Sequence, residues 1–145
     1  MAVNPIPEGH HTVTPYLTVR GAGALIEFII KAFDATLVYQ MKRPDGSIGH
    51  AEMKIGDSMV MIGEAPDPSQ AMPAMLHLYV TDADAWYNKA IAAGATVVRE
   101  IADQFYGDRS GGVKDMCGNQ WWLSTHVEDV SPEELDRRMA AMGKP

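Results

Sequence analysis

The chain has 145 residues, of which 46% are hydrophobic, so it can bury one sizeable core and has the length of a single domain. Twelve Lys and Arg residues stand against 19 Asp and Glu residues, which gives a formal net charge of −7. No basic cluster interrupts this acidic balance, so nucleic acid and anionic membranes are not expected as partners.

The single cysteine and the N-terminal composition indicate the compartment. Cys117 is the only cysteine, so no intrachain disulfide and no cysteine-based zinc site is expected, as in a reducing environment. Residues 1–11 lack the basic start and the apolar core of a signal peptide. The most apolar segment, residues 22–33, is interrupted by Glu27 and Lys31, so no membrane span is expected. We therefore predict a cytoplasmic protein.

Residues 11–64 are predicted to form one β-α-β-β-β module. Residues 11–20 alternate as a strand does, and the apolar spacing that follows predicts a helix with one broad apolar face. The Asp-Gly and Gly-Asp pairs at 45–46 and 56–57 are typical turn centres. They divide the rest of the module into strands at residues 36–42, 48–55 and 58–64.

A second module is predicted at about residues 75–126. The segment before it, residues 65–74, contains three prolines and is expected to be a linker. Thr81 or Asp82 can cap the second helix, and Gly94 is suited to end it as a left-handed residue.

The two modules are weakly similar in sequence, which indicates an internal duplication. Leu17 corresponds to Leu78 and Val19 to Val80, both at an offset of 61 positions. Each module leaves one face of its sheet without a helix, and pairing the modules would enclose those faces. We therefore predict an α+β fold in which two paired β-α-β-β-β modules curl eight strands around a shared cleft.

The stretch GDRSGGVKDMCGNQWW, residues 107–122, predicts a hairpin followed by a final strand that carries two rings. Trp121 and Trp122 are consecutive, so they must point to opposite faces of the sheet. Ser131 and Pro132 then begin a C-terminal helix at about residues 131–142. Its apolar stripe is narrow, so we expect this helix to dock on its own domain or on a second subunit.

The duplicated pattern, the segment LHLYVTDADAWYNKAIAAGATVV and the ending YGDRSGGVKDMCGNQWWLSTHVEDVSPEEL resemble the glyoxalase/bleomycin-resistance/dioxygenase group. This is the vicinal oxygen chelate superfamily, and the resemblance is to its PhnB-like branch, over about residues 12–139. It implies paired modules, frequent dimers, and a cleft that holds either a divalent metal or a small molecule without one. The chain departs from the branch at Met116 and Asn119, where Pro and His are common.

The resemblance also implies where a metal would bind. Metal-dependent members use one side chain from the first strand and one from the last strand of each module. These positions fall here at Thr14 and Met75, at Val60 or Met61, and at Trp122. None of these side chains is a useful ligand for a divalent ion, so no metal cofactor is expected.

Two sets of residues are candidates for the functional site. If Trp122 faces the cleft, apolar and polar neighbours from both modules are expected to bind the ligand with it, and ten methionines supply adaptable walls. The expected ligand-binding residues are Trp122, Met75, Met61, Tyr79, His77 and Arg109. The alternative is a metal or acid-base set of His50, Glu52 and His77. The adjacent His10 and His11 are expected to lie in a disordered terminus.

Three functions remain open from the sequence. The first is a homodimeric protein that binds a small apolar or aromatic molecule between its modules, without metal. The second is a divalent-metal enzyme of the same superfamily, an isomerase, lyase or dioxygenase. The third is a dimeric scaffold whose cleft is filled by its own side chains. The modules can pair within one chain or across a swapped dimer.

Overall fold

The computed structural model describes residues 2–143, which form two four-stranded sheets and three α-helices. In the first module the elements are β1 (Tyr16–Val19), α1 (Ala22–Phe33), β2 (Thr36–Lys42), β3 (Ile48–Ile55) and β4 (Ser58–Glu64). In the second they are β5 (Met75–Tyr79), α2 (Ala83–Ala92), β6 (Thr96–Asp103), β7 (Asp108–Lys114) and β8 (Gln120–His126), followed by α3 (Pro132–Ala141). The predicted α+β fold of two β-α-β-β-β modules with a C-terminal helix is confirmed.

The two sheets have the same topology. Their strand orders are β1-β4-β3-β2 and β5-β8-β7-β6, and in each the first and last strands of the module run parallel. Tyr16 pairs with Met61 in the first sheet, and His77 pairs with Trp122 in the second. Both members of the second pair lie 61 positions after those of the first, so the duplication seen in the sequence is also a duplication of strand register.

The first strand is shorter than its alternating pattern predicts. A strand was expected over residues 11–20, but β1 spans only Tyr16–Val19. Pro15 has no backbone N–H to donate, so its carbonyl, which accepts from the amide of Met61, is the last ladder contact. Before it, the chain turns where the amide of His10 bonds the carbonyl of Pro7.

Helices α1 and α2 each cover one face of the sheet of their own module, and they also pack against each other. Phe33 at the end of α1 stacks on Trp86 of α2, with ring centroids 5.5 Å apart, and lies 5.0 Å from Trp121 of β8. A surface salt bridge of 2.6 Å also joins Asp34, which follows α1, to Lys89 of α2. The core is therefore continuous from one module into the other, on what we call the helix face of each sheet. The opposite face is called the outer face.

The N-termini of α1 and α2 are held by equivalent residues of the two modules. Helix α1 starts at Gly21, which has no capping side chain, and the Glu64 carboxylate accepts instead from the amides of Gly21 and Ala22 at 2.9–3.1 Å. In the second module the Thr125 hydroxyl accepts from the amide of Ala83 at 2.9 Å. Glu64 and Thr125 are 61 positions apart, so the last strand of each module satisfies the free amides of its helix.

The predicted cap residues of the other helix ends are also observed. Asp82 accepts from the amide of Ala85, and Gly94 after α2 has a φ of 111°. Ser131 accepts from the amide of Glu134 at the start of α3. Helix α3 docks on its own chain through Arg138, which bonds the Glu128 carboxylate, the Glu134 carboxylate and the carbonyl of Phe105. No helix in residues 2–143 is long and apolar enough to cross a membrane.

Candidate functional site

A cavity of about 1150 Å³ lies between the two modules. One wall is the β3–β4 turn with Pro15 and Val60, and the other is β5 with Trp86, Trp121 and the end of β8. The free edge of β5 faces this space, because β5 is the outermost strand of its sheet. The cavity is lined by apolar and aromatic side chains, with His77, Tyr79 and His126 among its polar groups. An apolar lining with a few polar groups is typical of a small-molecule site, and the volume is large enough for such a ligand.

Three of the six predicted ligand-binding residues line this cavity. Met75, His77 and Tyr79 are alternate residues of β5, so their side chains share the outer face of that strand. The rings of His77 and Tyr79 lie 5.0 Å apart, which places an imidazole and a phenol side by side at the opening. All of the predicted ligand-binding residues that line the cavity therefore come from β5.

Trp122 and Met61 also lie on the outer faces of their sheets, but they belong to β8 and β4, one strand in from the edge strands β5 and β1, and they do not line the cavity. The Trp122 ring rests flat against Gly112, where an added Cβ would lie 2.8–2.9 Å from ring atoms. The guanidinium of Arg99 lies over the same ring, 4.7 Å from its centroid. The cavity is instead lined by the preceding residues of both strands, Trp121 and Val60. The two tryptophans do point to opposite faces, as the strand period requires.

Arg109 is held by acidic side chains on the helix side of β7. Its Nε and one terminal nitrogen donate to the Asp84 carboxylate at 2.7 and 2.9 Å, and the other donates to Asp103 at 3.2 Å. These bonds lower the pKa of Asp84 and raise that of Arg109. The Arg109 guanidinium is already bonded to two carboxylates, so this side chain joins α2 to the second sheet.

A polar cluster on the outer face of the first sheet unites His50, Glu52, Tyr16 and His10. His50 Nε2 lies 3.1 Å from Glu52 Oε2, and His50 Nδ1 lies 3.1 Å from the Tyr16 hydroxyl. His10 Nε2 approaches Glu52 Oε1 at 3.0 Å, and its side chain is only 10% exposed. The expectation that His10 lies in a disordered terminus is therefore wrong. Nothing in the local sequence marks the contact, because 42 positions separate the two residues.

His77, the third member of the alternative metal set, is placed on the other sheet. His50 and Glu52 belong to β3, whereas His77 belongs to β5 and lies beside Tyr79. Among residues 2–143 no three His, Cys, Asp or Glu side chains are arranged to hold a metal ion. The positions that the family resemblance assigned to metal ligands carry a threonine, a tryptophan and methionines or a valine. These residues do not fit a divalent metal.

A second polar cluster, centred on the buried Asp108, lies at the rim of the cavity. Its carboxylate accepts from the Tyr79 hydroxyl at 2.8 Å and contacts His126 Nδ1 at 2.8 Å. His126 Nε2 contacts the exposed Asp129 at 2.7 Å. The hydrogen bonds to Asp108 and Asp129 raise the pKa of His126, and the bond to Asp108 raises that of Tyr79. His126 was not among the predicted site residues, because its only signal in the sequence is its period-two spacing from Trp122 and Ser124.

The hairpin between β7 and β8 is organised by Asp115, and it partly buries Cys117. The Asp115 carboxylate accepts from the amides of Cys117 and Asn119 and from Trp121 Nε1, the last at 2.7 Å. Asn119 Oδ1 in turn accepts from the amide of Ala74 before β5. Burial, with added repulsion from Asp115, raises the pKa of the Cys117 thiol to about 11. The expected hairpin therefore has a structural role.

Two four-stranded sheets in duplicated β-α-β-β-β modules, with a cavity between the modules, define a paired-module α+β protein. The family model of the glyoxalase/bleomycin resistance protein/dioxygenase superfamily matches residues 9–123. The chain belongs to this superfamily, as its sequence motifs predicted.

The chain is also similar to one curated protein along its whole length and to solved structures in fold. The uncharacterized protein Mb0911c of Mycobacterium bovis is 36% identical over 154 aligned positions, which cover 99% of each chain. The crystal structure of TioX from Micromonospora sp. ML1 has a similar fold, with a TM-score of 0.67 and 23% identity over 81% of this chain and 98% of that one. A PhnB protein from Bacillus cereus also has this fold, with a TM-score of 0.63 and 16% identity over 79% of this chain and 99% of that one.

Proposed function

We propose that the protein binds a small, largely apolar or aromatic molecule in the cavity between its modules, without a resident metal. The observation that carries this proposal is the cavity itself, whose walls come from both modules and include the partly exposed ring of Trp86, with the buried Trp121 behind it. Planar ligands gain both area burial and favourable ring contacts in such a space. His77, Tyr79 and His126 supply the few polar groups that would orient the ligand.

The experiment is a fluorescence titration in a Trp122→Phe background. Trp86 lines the cavity and is partly exposed, Trp121 lies fully buried in the cavity wall, and Trp122 is on the outer face of its sheet. Removing Trp122 therefore leaves only emission from the two rings at the cavity. A panel of planar aromatic compounds should then quench the emission to saturation. Absence of quenching by every compound would contradict the proposal and favour a scaffold with no ligand.

Two matched variants test whether the ligand occupies this cavity. Met75 lines it and is 62% exposed, and Met72 is 64% exposed but lies outside it. Met75→Arg places a charge in the apolar wall, so it should weaken binding at least about tenfold, or roughly 1.4 kcal/mol. Met72→Arg should leave binding unchanged. Equal affinities in the two variants would refute this location.

Metal analysis of the purified protein tests the alternative function. The alternative function is a divalent-metal enzyme of the same superfamily. Of the alternative metal-ligand set His50, Glu52 and His77, only His77 lines the cavity. We expect no stoichiometric zinc, nickel, manganese or iron. Stoichiometric metal that is lost in His77→Ala would replace the proposal with the metal-enzyme alternative.

The same proposal includes a homodimer located in the cytoplasm. The edge strands β2 and β6 are unusual, because six of seven and seven of eight of their residues are exposed. Such strands are expected to be covered by a second copy of the chain. Sedimentation should give a dimer mass that falls towards the monomer in Val97→Arg. The control Val127→Arg, at a residue of similar exposure outside the strands, should keep the dimer.

A further inference from the structure

The N-terminal segment of the chain inserts one side chain into the polar cluster on the first sheet. His10 is mostly buried, whereas its neighbours Gly9 and His11 are exposed. The imidazole reaches the outer face of β3, where Nε2 lies 3.0 Å from Glu52 Oε1. Glu52 belongs to the sheet, so His10 occupies a position on the outer face of the first sheet.

The place that His10 fills has the chemistry of a cation site. The other carboxylate oxygen of Glu52 is held by His50, and His50 is held by the hydroxyl of Tyr16. Tyr16 can reach His50 because residue 63 is glycine, where an added Cβ would lie 2.8 Å from the hydroxyl. The rings of Tyr16 and Tyr39 lie 5.6 and 6.5 Å from that of His50. A fixed carboxylate beside aromatic rings is an arrangement that attracts planar cations.

His10 fits this place imperfectly. Its Nε2 is buried and has no aligned hydrogen-bond partner, although Glu52 Oε1 is close enough for a charge contact. Its Nδ1 lies 3.3 Å from the carbonyl oxygen of Glu8, within the same turn of the chain. Both ring nitrogens thus lie near acceptor oxygens, but only Nδ1 has a hydrogen-bond geometry, and its partner is in the same turn of the chain. A free ligand with two planar N–H groups is not attached to the chain, so it can orient both groups towards the Glu52 carboxylate.

We infer that Glu52, His50 and Tyr16 form a binding site for a small planar nitrogen cation of the guanidinium or imidazolium class, which His10 occupies in the absence of ligand. Ligand binding displaces His10 and frees the segment before Pro15. The site is independent of the proposed function, because none of its residues lines the intermodule cavity.

Methylguanidine and its neutral isostere methylurea are suitable probes, because neither has a ring that would enter the cavity. Affinity is measured by NMR in wild type, His10→Ala and the matched control His11→Ala. A tethered side chain competes with a free ligand at an effective concentration of about millimolar, so His10→Ala should bind methylguanidine several-fold more tightly than the other two. In wild type, saturation should move the His10 imidazole signal towards that of the exposed His11.

Glu52→Gln in the His10→Ala background removes the charge with little change of shape. It should abolish methylguanidine binding, and methylurea should bind to none of the variants. Thermal unfolding of each variant confirms that it is folded. The inference is overturned if His10→Ala and His11→Ala bind methylguanidine equally, or if binding survives Glu52→Gln. Neither result affects the cavity titration, so the two proposals fail separately.

Discussion

Replacing Glu64 with Ala should destabilise the fold by about 2 kcal/mol, because this side chain alone caps helix α1. The N-cap residue of α1 is Gly21, and the first turn contains no acidic residue. Loss of a capping side chain costs about 1 kcal/mol, and loss of a negative charge at a helix N-terminus costs about 0.3–1 kcal/mol. The Glu64 side chain is only 17% exposed, which places both effects towards the upper end of their ranges.

Urea denaturation and thermal unfolding measure this effect. For a chain of this length, about 2 kcal/mol corresponds to a fall in Tm of roughly 6 °C. Glu64→Gln keeps an acceptor and loses the charge, so it should cost about half as much. Glu27→Ala, at an exposed position in the middle of the same helix, is the matched control and should change stability by less than about 0.5 kcal/mol. If Glu64→Ala is no worse than this control, the capping role is refuted.

Three further predictions follow from other side chains. Trp121→Ala should cost about 3–5 kcal/mol in urea denaturation and Trp122→Ala less than half of that, because Trp121 is fully buried; equal costs would contradict this assignment. The raised pKa of His126 adds stability below its ordinary pKa that is lost as pH rises through the raised one, so Tm should fall over that window and the fall should disappear in His126→Gln. A fall that persists would exclude His126 as its source. The thiol pKa of Cys117 is about 11, against an ordinary value of 9.0. Cys117 should therefore react with iodoacetamide at pH 7.5 about a hundredfold more slowly than a cysteine in a short peptide. An equal rate would show that the thiol is exposed.

The repeat offset of 61 residues carried more structural information than the individual motifs. It predicted the two modules, and it also relates the capping residues Glu64 and Thr125, whose side chains have no resemblance. A last-strand side chain at that position lies next to the first turn of its helix in both modules. The position and its task were retained, while the residue type changed.

The location of the cavity and the residues that line it could not be predicted from the sequence alone. Alternation predicted that Trp121 and Trp122 point to opposite faces, and this is observed. The cavity, however, lies at the free edge of β5, where Trp121 lines it and Trp122 does not. Alternation distinguishes the two faces of a strand without saying which one borders a space. That depends on how α1 and α2 pack across the modules, through contacts such as the one between Phe33 and Trp86.

The sequence by itself determined the elements, the duplication and the family, since turn dipeptides, cap residues and hydrophobic periods act over a few neighbouring positions. It determined the strands of the first meander and the start of α3 for this reason. Only the tertiary structure decided that His10 meets Glu52 and that Tyr79, Asp108 and His126 share one hydrogen-bonded cluster. These groups are separated by tens of residues along the chain, and strand register together with the path of the N-terminal segment brings them together.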